Sequence, residues 1–491
     1  MDNPKILLSS FQMGIKSKVN RLMYSINEQV LVEHLTLNKI KETNISSVEY
    51  FEKLDESNWQ DIREQYLVMD DIFELQKKNL EDLFYKITKS FYKDKFFLQE
   101  KGIIHNQCIQ DVNIGEGDQH NGKSTAVLTF INNQKLIFKP TNAAISCSYF
   151  GFLDWINQYF DMGNYFHQIY NEKKYHWQEF VIEKNCSSTE ELKTYYLRAG
   201  YLLGILYVIN GSDYHAQNLI AHGNTPVLID HETVIQPKIS TRFDEYFTQF
   251  NKELKDTVLN TFLLPNKEAE DANSPVGICG LGYSKETKSY KDKKVGINRF
   301  TKYWRIVTKL IVEDYVKCNV PTLNGKKVFV EEYSQDFLKG FDECYQLLLK
   351  NKEFLLSKAS PVQHFKNIPV RYIWRSTAVY DKIIDFMRQP KNLKDKELFK
   401  NKIKYYLSIA YKNVPSGSEL RLIIEHEVAQ ILRGDIPFFE VNSSSRDLET
   451  EFGTIKDFFE LSAVENIQRK LKKLSLEDLE FQKNLIIESI K

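Results

Sequence analysis

The chain has 491 residues, 42% hydrophobic and 13% aromatic, with 66 basic and 66 acidic side chains and no net charge. That composition supplies ample core and excludes intrinsic disorder, and the balanced charge gives no general drive toward nucleic acid, leaving only local basic patches open. Its six cysteines form no Cys-x-x-Cys pair and no zinc-finger spacing, which fits reduced thiols in the cytoplasm, and neither a signal peptide nor an apolar run of about 18 residues is present.

Residues 1–105 read as a helical cap or peptide-binding region. Over residues 61–92, Ile62, Tyr66, Ile72, Phe73, Leu80 and Leu83 recur at mixed three- and four-residue spacing. The texture then changes, and residues 106–240 read as a catalytic core. Residues 124–131 are β-branched and apolar, Asn132-Asn133-Gln134 is a turn, and residues 135–139 resume strand character until Pro140 ends the hairpin. A further strand is expected over 175–182. Residues 191–210 predict an amphipathic helix capped at Asn210-Gly211. A loop over 211–218 then leads to two short strands, 219–221 and 226–230, around a Gly223-Asn224 turn. Residues 241–491 read as mainly helical.

Gly117-Asp-Gln-His-Asn-Gly122-Lys123-Ser124 matches the phosphate-loop pattern G-x-x-x-x-G-K-[ST]. That pattern works when a helix N-terminus follows and offers its amides to phosphate. Here Thr-Ala-Val-Leu-Thr-Phe-Ile follows, a strand sequence, so the match is rejected. A glycine-containing turn entering a hairpin agrees instead with the loop that covers nucleotide phosphates in protein kinases. An ordinary hairpin entry would read the same way.

Phosphoryl transfer needs a lysine on the phosphates, a group to orient the nucleophile and oxygen ligands for magnesium. Lys139 ends an apolar strand; taken alone it is an edge lysine. Asp213 and Asn218 stand five positions apart, as the Asp and Asn of a kinase catalytic loop do. Asp213 could orient a substrate hydroxyl, and the Asn218 carbonyl oxygen is a hard ligand suited to Mg²⁺. The same residues are common in capping loops. Asp230, with Glu232 beside it, closes Val-Leu-Ile where kinases place a second Mg²⁺ ligand. Downstream, Arg371, Arg375 and Thr377 could hold an anion, or could simply be solvated on an amphipathic segment.

These residues belong to one ordered series: Gly117-Asp118-Gln-His120, Phe138-Lys139-Pro140, Trp177-Gln-Glu179-Phe180-Val181, Tyr196-Leu-Arg198-Ala-Gly200, Asp213-Tyr-His215-Ala-Gln-Asn218, Pro226-Val-Leu-Ile-Asp230-His-Glu232, Arg371 to Tyr380, and Gly434-Asp435-Ile436-Pro437-Phe438-Phe439. The series resembles the dehydratase domain of class II lanthipeptide synthetases. The resemblance implies an α+β fold: a kinase-like, specifically lipid-kinase-like, bilobal core with extensive added helices. It also implies a bacterial, cytoplasmic enzyme that uses ATP and Mg²⁺ to phosphorylate Ser and Thr of a precursor peptide. Phosphate is then expelled to leave dehydroalanine or dehydrobutyrine. By motif, the resemblance assigns Lys139, Asp118, His120 and Glu179 to the nucleotide, Asn218 and Asp230 to the metal, Asp213 and His215 to phosphorylation, and Arg371 and Thr377 to elimination. His215 is also a candidate for the base that removes the Cα proton.

Two departures stand out. Gln217 occupies a position where the family often has Glu. No cysteine follows Cys344, and only about 50 residues follow Pro437, too few for the family's zinc-dependent cyclase domain. The expectation is therefore dehydration without zinc and without thioether cyclisation, with any further tailoring left to separate enzymes. The competing readings are a peptide kinase that stops at the phosphoester, an inactive peptide-binding scaffold and a small-molecule or lipid kinase. Arg371 and Thr377 have no evident task in the first and third. The scaffold has no need of Lys139, Asp213, Asn218 and Asp230 together.

Overall fold

The computed structural model describes residues 28–34, 59–243, 256–267, 276–299 and 303–491, with single positions 19, 246 and 301. The N-terminal helical expectation lies largely outside them before residue 59. The described chain is a mixed α+β structure whose strands pair mainly as antiparallel hairpins. It divides into two compact units. One holds the described residues of 1–140, 290–311 and 375–438, the other those of 141–289, 312–374 and 439–491. Among the described residues, no helix is long and apolar enough to cross a membrane.

In the first unit, the helix Leu67–Glu100 turns a stripe of Ile72, Phe73, Leu83, Ile87, Phe91 and Leu98 inward. Phe91 meets Phe130 at a ring distance of 5.8 Å. Phe130 closes the strand Lys123–Phe130, whose alternate residues Ser124, Ala126, Leu128 and Phe130 are buried, as a half-buried strand requires. That strand pairs with Lys135–Lys139, setting Ala126 opposite Phe138 and Leu128 opposite Leu136. On its other side lies a strand that the sequence did not signal, Ile109–His120. Gly115 and Gly117 there take φ of 90° and 76°, and the register shifts twice beside them, so the strand is bulged. The turn back is Asn121-Gly122, both at positive φ, the conformation that two-residue hairpins favour. A strand therefore follows the Gly-Lys-Ser match, and the rejection of a phosphate loop there holds.

In the second unit, the helices Thr189–Ile209 and Ser334–Lys350 pack closely because glycines face each other. A Cβ on Gly200 would lie 2.1 Å from the Phe337 carbonyl oxygen, and one on Gly340 2.0 Å from that of Leu197. The Ser188 hydroxyl caps the first helix by accepting from the Glu191 amide, and Asn210 ends it at φ 61°. The cap thus rests on Asn210. Gly211 is required for space, since a Cβ there would meet Leu206 at 2.9 Å and the Val234 carbonyl at 3.0 Å.

Strands pair Leu219–His222 with Thr225–Leu228. The second is shorter than expected, so Asp230 stands two residues beyond it. The strand expected over 175–182 is confined to His176–Glu179, paired with Ile169–Asn171. Beyond residue 240 the described residues hold both helices and strands. Helices do cluster there, but so do a long hairpin, Lys288–Ile297 with Arg305–Asp314, and a pairing of Pro369–Tyr372 with Phe439–Asn442.

Candidate active site

The second unit gathers Asp213, His215, Asn218, Asp230, Glu232 and Arg371. The loop over 211–218 is held along its backbone. Ser212 N donates to the Thr233 carbonyl, Tyr214 N to that of Thr261, and Ala216 N to that of Ile278. Between these ties Asp213 sits at φ 69°, a left-handed conformation uncommon outside glycine. The Asn218 side-chain amide donates to the Asp213 carbonyl at 2.8 Å. That bond fixes which end of the amide is nitrogen and leaves Oδ1 as an acceptor. The Asn218 carbonyl accepts from Ile229 N at 3.1 Å, which brings the Asp230 segment alongside.

Asp230 accepts from the Glu232 amide through Oδ1 at 3.2 Å. Between them His231 is buried, bonded to Ser146 Oγ at 3.0 Å and stacked on His167, so it anchors the segment in the core. Arg371 lies on the strand Pro369–Tyr372. Its amide donates to the Glu232 carbonyl at 3.0 Å, and its Nη1 approaches Glu232 Oε2 at 3.5 Å. His215 Nδ1 accepts from Gln217 N at 3.2 Å, and its Nε2 lies 3.5 Å from the Asn218 side-chain nitrogen. Glu179 is exposed, and its Oε2 accepts from the Gln168 amide at the end of its own hairpin.

The first unit holds Asp118, His120, Lys139 and Thr377. Lys139 is half-buried at the end of its strand, next to the fully buried Phe138. Thr377 Oγ1 donates to Asp118 Oδ2 at 3.1 Å. Asp381, on the helix Thr377–Met387, has its carboxyl pushed up by burial and by the neighbouring charges of Asp118 and Asp385. His120 binds the Ile436 carbonyl through Nδ1 at 2.8 Å and packs on Phe438. Arg375 is engaged within the fold. It bonds Glu427 at 2.6 Å and the Leu407 carbonyl at 3.0 Å, and Tyr380 completes the cluster on Glu427.

Two positioning residues escaped the sequence. Asp435, fully buried, accepts from the Gln119 side chain and the Gly122 amide, both at 2.9 Å, and so braces the glycine turn. Arg198, also buried, donates to the Asn224 carbonyl and to Asp161, and fastens the turn between the two strands that lead from Asn218 to Asp230. Both belonged to quoted motifs, but their partners lie far away in sequence.

Magnesium takes oxygen ligands and keeps much of its water, so one carboxylate and one amide carbonyl suffice beside a nucleotide. Asn218 Oδ1 and Asp230 fit that requirement. Among the described residues there is no cluster of three or more His, Cys, Asp or Glu that could enclose a metal ion.

The chain is 27% identical over 421 residues to the lacticin 481/lactococcin biosynthesis protein LcnDR2 of Lactococcus lactis subsp. lactis. The match covers 82% of this chain and 44% of that relative, so the chain spans less than half the length of the protein it matches. Residues 66–442 match a family described as a domain of unknown function, DUF4135, and the chain belongs to that family.

Proposed function

We propose that this protein dehydrates Ser and Thr in a ribosomally made precursor peptide, first phosphorylating the hydroxyl and then eliminating phosphate. The observation that carries the reading is the loop in which Asn218 is tied to the Asp213 carbonyl, with Asp230 brought alongside. The similarity to a lacticin 481 biosynthesis protein supports a peptide substrate. On this reading the core is kinase-like. Lys139, Asp118, His120 and Glu179 serve ATP, and Asn218 and Asp230 hold Mg²⁺. Mg²⁺ held by these two residues would supply positive charge to offset that of the phosphates.

Asp213 orients the substrate hydroxyl. His215 is the candidate base that removes the Cα proton. In the second stage that base takes the Cα proton, the C–H electron pair forms the Cα=Cβ bond, and the Cβ–O bond breaks with its electrons leaving on phosphate. Arg371 stabilises the departing charge. Thr377, already bonded to Asp118, is the other group of this stage.

The test is the intact mass of a precursor peptide incubated with the protein, ATP and Mg²⁺. A loss of about 18 Da per modified residue is expected; a gain of about 80 Da that persists would mark a kinase that stops at the phosphoester. Asp230→Asn is expected to stop phosphopeptide formation. If it works at the normal rate, Asp230 is not a metal ligand.

A further inference from the structure

The hairpin Lys288–Ile297 with Arg305–Asp314 has no role in the chemistry above, and its composition is unlike the rest of the chain. Between Lys288 and Lys309 there are eight basic residues and one acid, in a protein with no net charge. Acids return only at Glu313 and Asp314. The five consecutive residues from Tyr290 to Lys294 are all exposed, as are Thr308, Lys309 and Leu310. Tyr290, Tyr303 and Leu310 are each more than 60% exposed. Among the described residues the two ten-residue strands form a sheet of their own.

A two-stranded ribbon open on both faces is marginal in water. This one is fastened at its turn. Arg299 makes a two-pronged pair with Glu28 at 2.6 and 2.9 Å, and Glu28 also accepts from the Trp304 indole. Gly296 permits this contact, since a Cβ there would run into the Glu28 carboxylate and the Trp304 indole. Lysines commonly guard sheet edges against aggregation. Guarding does not call for large exposed tyrosines and leucines beside them, and short strands do it at less risk. Two ten-residue strands that pair with no third strand among the described residues, with apolar side chains and strong positive charge, suit an extended acidic peptide added as a further strand.

We infer that this hairpin docks an acidic, extended stretch of the substrate peptide by strand addition. Main-chain bonds supply affinity, and Lys293, Lys294 and Lys309 select for acidic side chains. The inference rests on the proposed peptide substrate but makes no use of the catalytic residues.

The experiment measures fluorescence anisotropy of the full chain with a short labelled peptide alternating apolar residues and glutamate. The comparison probes are its lysine counterpart and versions N-methylated at alternate residues in either phase. Phosphatidylglycerol vesicles serve as competitor. The glutamate peptide is expected to bind, K293E/K294E to weaken it at least about tenfold, and one methylation phase to abolish it. Peptide-independent ATP hydrolysis should be unchanged in that variant. Equal binding of the lysine peptide, or indifference to K293E/K294E or to both methylation phases, overturns the inference. Displacement of the peptide by vesicles also overturns it, in favour of a membrane surface. If acidic peptide binds as expected but no precursor is dehydrated, the proposed function fails and the docking site stands.

Discussion

Arg371 and Arg375 are four residues apart and look interchangeable in the sequence, yet they meet opposite environments. The Arg375 side chain is 14% exposed and faces a carboxylate, Glu427, that is fully buried. The Arg371 side chain is equally covered, at 15%, but Glu232 is 31% exposed and the two stand 3.5 Å apart. A buried carboxylate with a tight arginine is a closed pair; every hydrogen bond is spent on the fold. A loose pair with one partner in water can exchange that partner for an incoming anion at little cost. On the proposed function, the accessibility of the carboxylate, rather than that of the arginine, separates the structural Arg375 from the Arg371 that would meet phosphate.

The largest expected effect therefore lies at the closed pair. Arg375→Met should destabilise the protein by about 3–5 kcal/mol, because Glu427 is left charged and buried. Replacing both, Arg375→Met with Glu427→Leu, should recover most of the loss in a denaturant titration. Burial already pushes the Glu427 carboxyl up, against the opposing pull of Arg375 and Tyr380. Without Arg375 the push is stronger. A carboxyl whose pKa is raised by folding stabilises the folded state as pH falls, so the single variant should regain stability on mild acidification. If Arg375→Met changes dehydration but not stability, the division between the two arginines is wrong.

Arg371→Ala should do the reverse. Elimination is expected to slow by about 10²–10³-fold, with phosphorylated peptide accumulating, as when one charge-stabilising donor is removed elsewhere. Stability should move by no more than about 1 kcal/mol. Normal dehydration by this variant would remove Arg371 from the second stage.

What the sequence revealed follows from how local each signal is. The 189–209 helix, the 123–139 hairpin and the Asp213–Asn218 loop are set by periodicity, turn residues and spacing within one segment, and all three lie within two residues of the expected bounds. The strand Ile109–His120 was hidden because its polar residues and two glycines imitate a loop; its partner strand, not its own pattern, makes it a strand. The 288–314 hairpin was obscured by its lysines. Arg375's commitment to Glu427 crosses 52 residues, and Asp435's hold on Gln119 crosses 316, distances no window on a single segment can span.

Asp435 gives a smaller, local effect. Asp435→Ala leaves the Gly122 amide and the Gln119 side chain without their acceptor, which should loosen the glycine turn by about 1–3 kcal/mol. Amide exchange at Gly122 is expected to quicken about tenfold or more, with exchange in the 189–209 helix unchanged. If the loop serves ATP, the KM for ATP should rise more than kcat falls. Equal loss of protection in both regions would point to general destabilisation instead.

The smallest effect belongs to a third arginine pair, which completes the series by being open to water on both sides. Arg446 grips Glu465 with two bonds, at 2.6 and 2.8 Å, and their side chains are 46% and 37% exposed. Those bonds, with the Ser462 amide, outweigh burial and hold Glu465 down to about 2 from an ordinary 4.5. A carboxyl depressed by folding contributes stability above its unfolded value and loses it as pH falls toward the folded one. The melting-temperature difference between the native chain and Arg446→Ala should therefore be small at neutral pH and narrow as pH drops from about 5 toward about 3. The gap for Arg375→Met narrows on acidification too, but there the variant gains stability, whereas here the native chain loses it. A difference that widened on acidification would mean that Glu465 is held down by something other than Arg446, and that exposure alone does not order the three pairs.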